Sequence, residues 1–215
     1  KDMTGLKVLV TAGPTQEAVD PVRFITNHSS GKMGYAAAQA AAMRGAEVVL
    51  VSGHTALDIP LGVNRIDVTS SADMHDAVLE RAASADIIVK AAAVADYTPE
   101  TVYDHKVKKT DDDMSIPLKR TADILGDVAK IRTDSQVICG FAMETKDLIE
   151  NAKKKLESKN ADMIVANNLK VEGAGFGTDT NVVTFITKEG ITELPIMSKD
   201  DVAKEILDRM IGFMN

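Results

Sequence analysis

The 215-residue sequence has a single cysteine, no tryptophan and only 4% aromatic residues. One cysteine, Cys139, cannot form a disulfide framework or a cysteine-based metal site within the chain, so a reducing, cytoplasmic setting is expected. Scarce aromatics and a net charge of −7 argue against nucleic acid as a partner. No apolar run approaches the ~18 residues of a membrane span, and the N-terminus lacks a signal-peptide pattern, so no membrane partner is expected.

The length and the ordinary balance of apolar and charged residues are typical of one globular domain, which we place at residues 1–215. The chain starts with a polar segment and without an initiator methionine. We therefore expect residues 1–5 to be the remnant of a linker from a longer protein.

Short runs rich in valine and isoleucine alternate with helical patterns, which indicates βα units around a mainly parallel sheet that is buried on both faces. The residues on either side of Lys188, Glu189 and Gly190 are typical of a C-terminal β-hairpin, at 182–196. The expected fold class is therefore α/β with three layers. The predicted strands are 6–12, 46–53, 64–70, 85–94, 136–144 and 161–168, and the predicted helices are 35–45, 70–84, 121–132, 147–159 and 198–213.

In a doubly wound sheet, ligands bind at the carboxyl ends of the strands. Four strand ends carry unusual residues: TAGPTQE (11–17), AAAVADY (91–97), GFAMET (140–145) and ANN (166–168). A polar segment at 95–117 is too long for an ordinary connection, so we expect it to be functional or mobile.

The stretch FITNHSSGKMG (24–34) precedes a helical pattern and resembles a phosphate-binding loop. It is not a Walker loop, because Met33 follows Gly31 and Lys32, and it lacks the GxGxxG dinucleotide pattern. Small residues let backbone amides approach an anion, and a helix N-terminus favours negative charge. The alternative is a flexible turn with a helix cap at Ser30. Asn27 can donate and accept hydrogen bonds at once, which suits a transition state.

Two groups of lysines could bind a polyphosphate or be ordinary solvated surface. Lys106, Lys108 and Lys109 precede the acidic run 111–113, whose carboxylates could instead pair with them. Lys155 and Lys159 are one helical turn apart on an amphipathic pattern.

Asp96 follows the 85–94 strand, where it could bind a metal, hold a ribose hydroxyl or cap the next loop. The four histidines have no metal-ligand spacing; they are His28, His54, His75 and His105.

Taken in order, the segments TAGPTQEAVDPVRFITNHSSGKMG, AAAVADY, HKVKK, GFAMET and IVANN resemble the phosphopantothenoylcysteine synthetases, also called phosphopantothenate-cysteine ligases. The resemblance runs from about Lys7 to Met210 and points to the C-terminal half of bacterial bifunctional coenzyme A biosynthesis proteins. The N-terminal half of those proteins is a flavin-dependent decarboxylase. FMN is therefore expected only on that half, which this sequence lacks.

The resemblance implies a Rossmann-like fold, a homodimer and a requirement for cytidine triphosphate (CTP) and Mg²⁺. In the implied reaction, the carboxylate of 4'-phosphopantothenate attacks the α-phosphate of CTP and releases pyrophosphate. The amine of L-cysteine then displaces CMP from the acyl-cytidylate.

The resemblance also implies the roles of particular residues. Asn27 is expected to hold the acyl-cytidylate during attack by cysteine, and Lys106 to stabilise the transferring phosphoryl group. Ala122 stands where the family commonly has proline, which affects only local rigidity. The implied CTP-binding residues are Lys90, Ala91, Ala92, Asp96, Lys106, Ala122, Asp123, Ile124, Leu125, Phe141, Lys155 and Lys159. The phosphate- or substrate-binding residues are expected to be Gly13, Ser29, Ser30, Gly31, Lys32, Met33 and Gly34, and the metal ligands stay open.

Two other classes share the predicted fold. A nicotinamide-dependent oxidoreductase is disfavoured by the missing GxGxxG and because no tyrosine is followed four residues later by lysine. A non-catalytic nucleotide-sensing module would not require Asn27 and Lys106.

Overall fold

The computed structural model describes residues 1–109, 113–144, 147–168 and 178–214. The strands are β1 Lys7–Ala12, β2 Gln16–Ala18, β3 Phe24–Thr26, β4 Glu47–Ser52, β5 Val63–Asp67, β6 Ile87–Lys90, β7 Tyr97–Pro99, β8 Leu118–Arg120, β9 Val137–Glu144, β10 Met163–Asn168, β11 Thr180–Asn181, β12 Val183–Thr187, β13 Ile191–Glu193 and β14 Met197–Ser198. The helices are α1 Lys32–Met43, α2 Ser71–Ala82, α3 Ile124–Ile131, α4 Leu148–Ser158 and α5 Lys199–Gly212.

The central sheet has eight strands in the order β13-β12-β10-β9-β6-β1-β4-β5. The six strands from β10 to β5 run parallel, whereas β12 and β13 form an antiparallel hairpin at one edge. This topology confirms the predicted Rossmann-like α/β fold, with its mainly parallel sheet and C-terminal hairpin.

Both faces of the sheet are covered because its inner strands are apolar on both sides. Val8 and Val10 of β1 pack into a core with α1 and α5, whereas Leu9 between them packs with α2, α3 and α4. This alternation follows from the two-residue repeat of a strand and produces the three layers. No helix within the described residues is long and apolar enough to cross a membrane.

The start of α1 lies very close to the end of β1. A Cβ atom on Gly34 would stand 2.5 Å from the Cβ of Ala12, so only glycine allows this approach. Gly31 is the N-cap residue with a φ of 78°, one residue after Ser30, where the alternative to a phosphate-binding loop put the cap. The glycines thus bring the helix N-terminus to the edge of the sheet where parallel strands end.

Two short hairpins were missing from the sequence prediction. One pairs β2 with β3, and the other pairs β7 with β8 across the long polar segment. The predicted strand 85–94 stops at Lys90, because Ala93 leaves it to exchange backbone hydrogen bonds with Gly13 and Thr15. Part of that polar segment (110–112) and residues 169–177, which include the Gly-rich loop GAGFG (173–177), lie outside the described residues.

Residues 1–5, expected to be a linker remnant, pack against the domain. The side chain of Met3 is fully buried, and its backbone N–H donates to the carbonyl of Arg44. The guanidinium of Arg44 also pairs with Asp2. These contacts attach the first residues of the chain to the end of α1.

Candidate active site

A cleft of about 820 Å³ opens at the carboxyl ends of β1, β6, β9 and β10. β1 lies between β4 and β6 in the sheet, so the chain winds away from it in both directions. This is the topological switch point where ligands bind in doubly wound sheets. The position alone makes this cleft the candidate site.

Most of the site residues expected from the sequence line this one cleft. They are Asn27, Ser29, Ser30, Gly31, Lys32, Met33, Gly34, Lys90, Ala91, Ala92, Asp96, Ala122, Asp123, Ile124, Leu125, Phe141, Lys155 and Lys159. Within the described part of the chain, Gly13 and Lys106 do not line it. Gly13 instead supports the wall from behind, where its carbonyl accepts a hydrogen bond from the N–H of Ala93 at 2.9 Å.

Asn27 is placed at the cleft by the β2–β3 hairpin. The hydroxyl of Thr26 donates to the carbonyl of Thr15 at 2.7 Å, which fixes the end of β3. Directly after it, the exposed Asn27 donates from Nδ2 to the carbonyl of Val94 at 3.1 Å. The Asn27 amide therefore lies beside the chain that leaves β6.

The N-terminus of α1 forms one wall of the cleft. Ser29 Oγ accepts a hydrogen bond from the N–H of Gly31 at 3.2 Å, which shapes the turn into the helix. A 12-residue helix carries partial positive charge at this end, so the wall favours an anion.

Three lysines and an aspartate line the opposite wall, near α3 and α4. Lys155 donates from Nζ to the carbonyl of Phe141 at 2.7 Å, and Lys159 pairs with Asp123. Asp123 also caps α3 by accepting from the N–H of Gly126 at 3.0 Å. Desolvation, followed by the positive charge of Lys155, lowers the pKa of Lys90 to about 8. Three lysines outnumber the two nearby carboxylates, Asp123 and Asp96, and such a surplus of cations suits a polyphosphate.

The segment after β8 is held against the end of β6. Thr121 donates from its N–H to the carbonyl of Asp96 at 3.0 Å and from its hydroxyl to the carbonyl of Ala95 at 2.7 Å. Ala122 to Leu125 therefore lie beside Ala91 and Ala92 along the cleft. Ala91 and Ala92 are small enough to let a flat ring approach the backbone.

Lys106 lies on an exposed loop that is fixed from the other side. The carboxylate of Asp20 accepts from the N–H of Val107 at 3.1 Å, and Arg23 donates to the carbonyl of Val107 at 2.7 Å. Tyr103 adds a backbone hydrogen bond to Val19 at 3.0 Å. The loop is thus attached to the β2–β3 hairpin, and Lys106 is outside the cleft lining of its own chain.

Three buried polar residues of the cleft were not among the predicted site residues. Asn167, Asn181 and Lys199 line it and are 3%, 2% and 6% exposed. The ANN strand end did indicate Asn167. Asn181 and Lys199, however, lie beyond the Gly-rich loop and reach the cleft only through the tertiary fold.

A metal ion in this cleft would need ligands from a bound substrate as well as from the protein. Across residues 1–109, 113–144, 147–168 and 178–214, no group of three or more His, Cys, Asp or Glu side chains could hold one. Asp96 and Asp123 are single carboxylates on the cleft wall. Mg²⁺ is commonly bound by one or two carboxylates together with substrate phosphates, so these residues fit a phosphate-borne ion.

The fold and the cleft define an α/β protein with a lysine-lined cleft at the switch point of its sheet. The chain belongs to the family described as the DNA/pantothenate metabolism flavoprotein C-terminal domain, which it matches over residues 3–213.

Relatives support this assignment. The chain is 54% identical over 210 residues to the coenzyme A biosynthesis bifunctional protein CoaBC of Bacillus subtilis strain 168, covering 97% of this chain and 52% of that protein. Identity to CoaBC of Vibrio cholerae serotype O1 is 49% over 209 residues, covering 96% and 52%. The crystal structure of a CoaBC C-terminal domain superposes with a TM-score of 0.83 at 46% identity, covering 97% of this chain and 95% of that one. The chain thus spans about half the length of the curated relatives it matches.

Proposed function

We propose that this chain is a phosphopantothenate-cysteine ligase of coenzyme A biosynthesis that uses CTP and Mg²⁺ and forms an acyl-cytidylate. One observation carries the proposal: Asn27, the N-terminus of α1 and the lysines 90, 155 and 159 meet in one cleft. The similarity of the whole chain to half of CoaBC supports the choice of substrates.

The first half-reaction brings a carboxylate to a triphosphate, so mutual repulsion must be offset. The carboxylate oxygen of 4'-phosphopantothenate bonds to the α-phosphorus, the bond to the bridging oxygen breaks, and pyrophosphate leaves with that electron pair. Lys90, Lys155 and Lys159 stabilise the negative charge, and the backbone at Ala91 and Ala92 receives the cytosine. Asp96 would help to hold Mg²⁺, and the ion would supply charge neutralisation for the phosphates.

In the second half-reaction, the neutral amine of cysteine attacks the acyl carbon. The bond from that carbon to the cytidylate oxygen breaks, CMP leaves, and the nitrogen loses a proton to solvent. Asn27 is suited to donate to the oxygen that gains charge, because its amide already faces the cleft beside Val94.

We further propose that the protein is a homodimer. More than half of the exposed large apolar side chains of the described residues lie at 22–24 and 97–118, including Phe24, Tyr97 and Tyr103. Such a patch is typical of a protein interface. The Lys106 loop lies in the same region, so we propose that the dimer places Lys106 near a phosphate.

Because relatives are about twice as long, we also propose a flavin decarboxylase domain in the whole protein.

Pyrophosphate release tests the function directly. We expect release from CTP only when 4'-phosphopantothenate is present, and amide product only when cysteine is added. Release from CTP alone, or CTP binding without turnover, would contradict a ligase and favour a hydrolase or a nucleotide sensor.

A further inference from the structure

Lys90, Lys155 and Lys159, which we propose bind CTP, occupy only one half of the cleft. Asn167 of β10 and Met143 of β9 are neighbours in register. Val165 precedes Asn167 by two residues and packs in the core shared with α1 and α5. Because side chains alternate along a strand, Asn167 and Met143 face α1 and α5. Lys155 and Lys159, in contrast, come from α4 on the other side of the sheet.

A buried amide acceptor in the other half lacks a partner. Asn167 is 3% exposed, and its Nδ2 donates to Oδ1 of Asn181 at 3.3 Å. Its own Oδ1 has no hydrogen-bond partner among the described residues. A buried polar atom in that state is destabilising unless a ligand or water satisfies it. Since Asn167 lines the cleft, the missing partner can come from a ligand there.

The sulfur of Met33 supports this orientation of the two amides. Nδ2 of Asn181 points to Sδ of Met33 at 3.7 Å, which pairs a donor with a weak acceptor. If the side-chain amides of Asn167 and Asn181 were both rotated by half a turn, Oδ1 of Asn181 would face the sulfur of Met33, and an acceptor would then face an acceptor. The atom of Asn167 left without a partner is therefore an acceptor, which requires a ligand that carries a donor.

Positive charge lies beside this acceptor. Lys32, in the first turn of α1, pairs with Asp179 at 2.6 Å. Lys199, the first residue of α5, is 6% exposed, and its backbone N–H donates to the carbonyl of Asp179 at 3.0 Å. Burial, and then the nearby charge of Lys32, lower the pKa of Lys199. The ammonium of Lys199 donates to the carbonyl of Thr178 and lies near the carboxylate that pairs with Lys32, so both lysines bring positive charge to this half of the cleft.

We propose that this half of the cleft, defined by Met33, Asn167, Asn181 and Lys199, is the subsite for L-cysteine. The inference rests on the proposed function. Lys199 and Lys32 attract the α-carboxylate, Oδ1 of Asn167 accepts an N–H from the amino group, and Met33 and Met143 provide a soft, apolar wall for the thiol.

A phosphate fits this half less well than an amino acid. Ionised phosphate carries only acceptor oxygens, so it would leave the buried Oδ1 of Asn167 unpaired. The nucleotide phosphates already have the lysines at 90, 155 and 159 on the other wall. The two halves of the cleft therefore separate the two substrates that must meet in the second half-reaction.

The test compares L-cysteine with cysteamine, which has the amine and the thiol but no carboxylate. For Lys199→Gln we expect the KM for cysteine to rise about tenfold or more, as for the loss of one charge-assisted contact, with the KM for cysteamine unchanged. Asn167→Ala should raise the KM for both amines, because both carry the amino group. Neither variant should change the pyrophosphate burst measured with CTP and 4'-phosphopantothenate alone.

Matched variants keep the result interpretable. Lys204→Gln changes an exposed lysine of the same helix and should leave every constant unchanged. Lys199→Arg keeps the charge and should keep the preference for cysteine. An unchanged cysteine KM, or a weaker CTP KM and smaller burst in Lys199→Gln, would overturn the subsite. A wild-type chain that releases no pyrophosphate would instead overturn the proposed function.

Discussion

At the scale of single residues, Lys90 has the clearest electrostatic perturbation in the cleft. Its pKa of about 8 arises first from desolvation and then from the charge of Lys155. Only the protonated amine attracts phosphate. We therefore expect the KM for CTP to rise from about pH 7 to about pH 9 as Lys90 loses its proton. Lys90→Arg should abolish most of this rise, because a guanidinium stays charged. An identical rise in the variant would assign the titration to another group.

The same pKa shift should weaken CTP binding as the pH rises but increase the stability of the folded protein. Between about 8 and the ordinary lysine value of 10.5, the unfolded chain binds the proton more strongly than the folded chain. The contribution of Lys90 to the free energy of unfolding of the ligand-free protein should therefore rise with pH through that range. Comparing denaturant unfolding of the wild type with Lys90→Met across these pH values measures this contribution.

Asn27 offers a separate test at the residue scale. Asn27→Asp removes the N–H donor beside the carbonyl of Val94 and adds negative charge where charge develops. We expect the second half-reaction to slow about 100-fold, as when one donor to a developing oxyanion is removed. Rapid quench with labelled CTP should then show the acyl-cytidylate accumulating. Amide formation at the wild-type rate, with no trapped intermediate, would remove this role from Asn27.

At the scale of elements, Asp20 connects the β2–β3 hairpin to the Lys106 loop. Its carboxylate accepts from the N–H groups of Val22, Arg23 and Val107 at 2.9, 2.8 and 3.1 Å. Hydrogen bonds from the Arg23 side chain come first among the causes that hold its pKa well below the usual range. This one side chain thus fixes the hairpin turn and the loop together.

Asp20→Asn should therefore loosen the loop that carries Lys106. We expect faster hydrogen exchange at residues 100–109 and a pyrophosphate burst slowed about tenfold, with a smaller change in CTP affinity. Asp104→Asn is the matched control, because Asp104 is on the same loop with a largely exposed side chain. A normal burst in Asp20→Asn would mean that the position of Lys106 does not depend on this anchor.

Elements also show where sequence reasoning works and where it stops. The strands β1, β4 and β9 and all five helices follow local apolar patterns, so their existence and order could be predicted. β7 and β8 are three residues each and pair across 18 intervening residues, so no local pattern indicates them. The resemblance predicted Lys90, Lys155 and Lys159, which line the cleft, whereas Asn181 and Lys199 reach the cleft only through the tertiary fold.

At the scale of the whole molecule, the proposed dimer should depend on the apolar patch around β3 and β7. Phe24 is 51% exposed, although it is a large apolar side chain. Phe24→Glu should shift the sedimentation of the protein toward a monomer, because a charge buried in an interface is costly. Met43→Glu, at an exposed position at the end of α1, is the control. A wild-type chain that sediments as a monomer would contradict the dimer itself.

The central claim is that the carboxylate of 4'-phosphopantothenate attacks the α-phosphate of CTP in this cleft. Substrate labelled with ¹⁸O in that carboxylate tests the claim, because the oxygen that attacks phosphorus stays with the phosphate when the amide forms. Mass spectrometry of the products should find one labelled oxygen in CMP for each amide made. Label in pyrophosphate or inorganic phosphate, or CMP without label, would contradict the acyl-cytidylate mechanism.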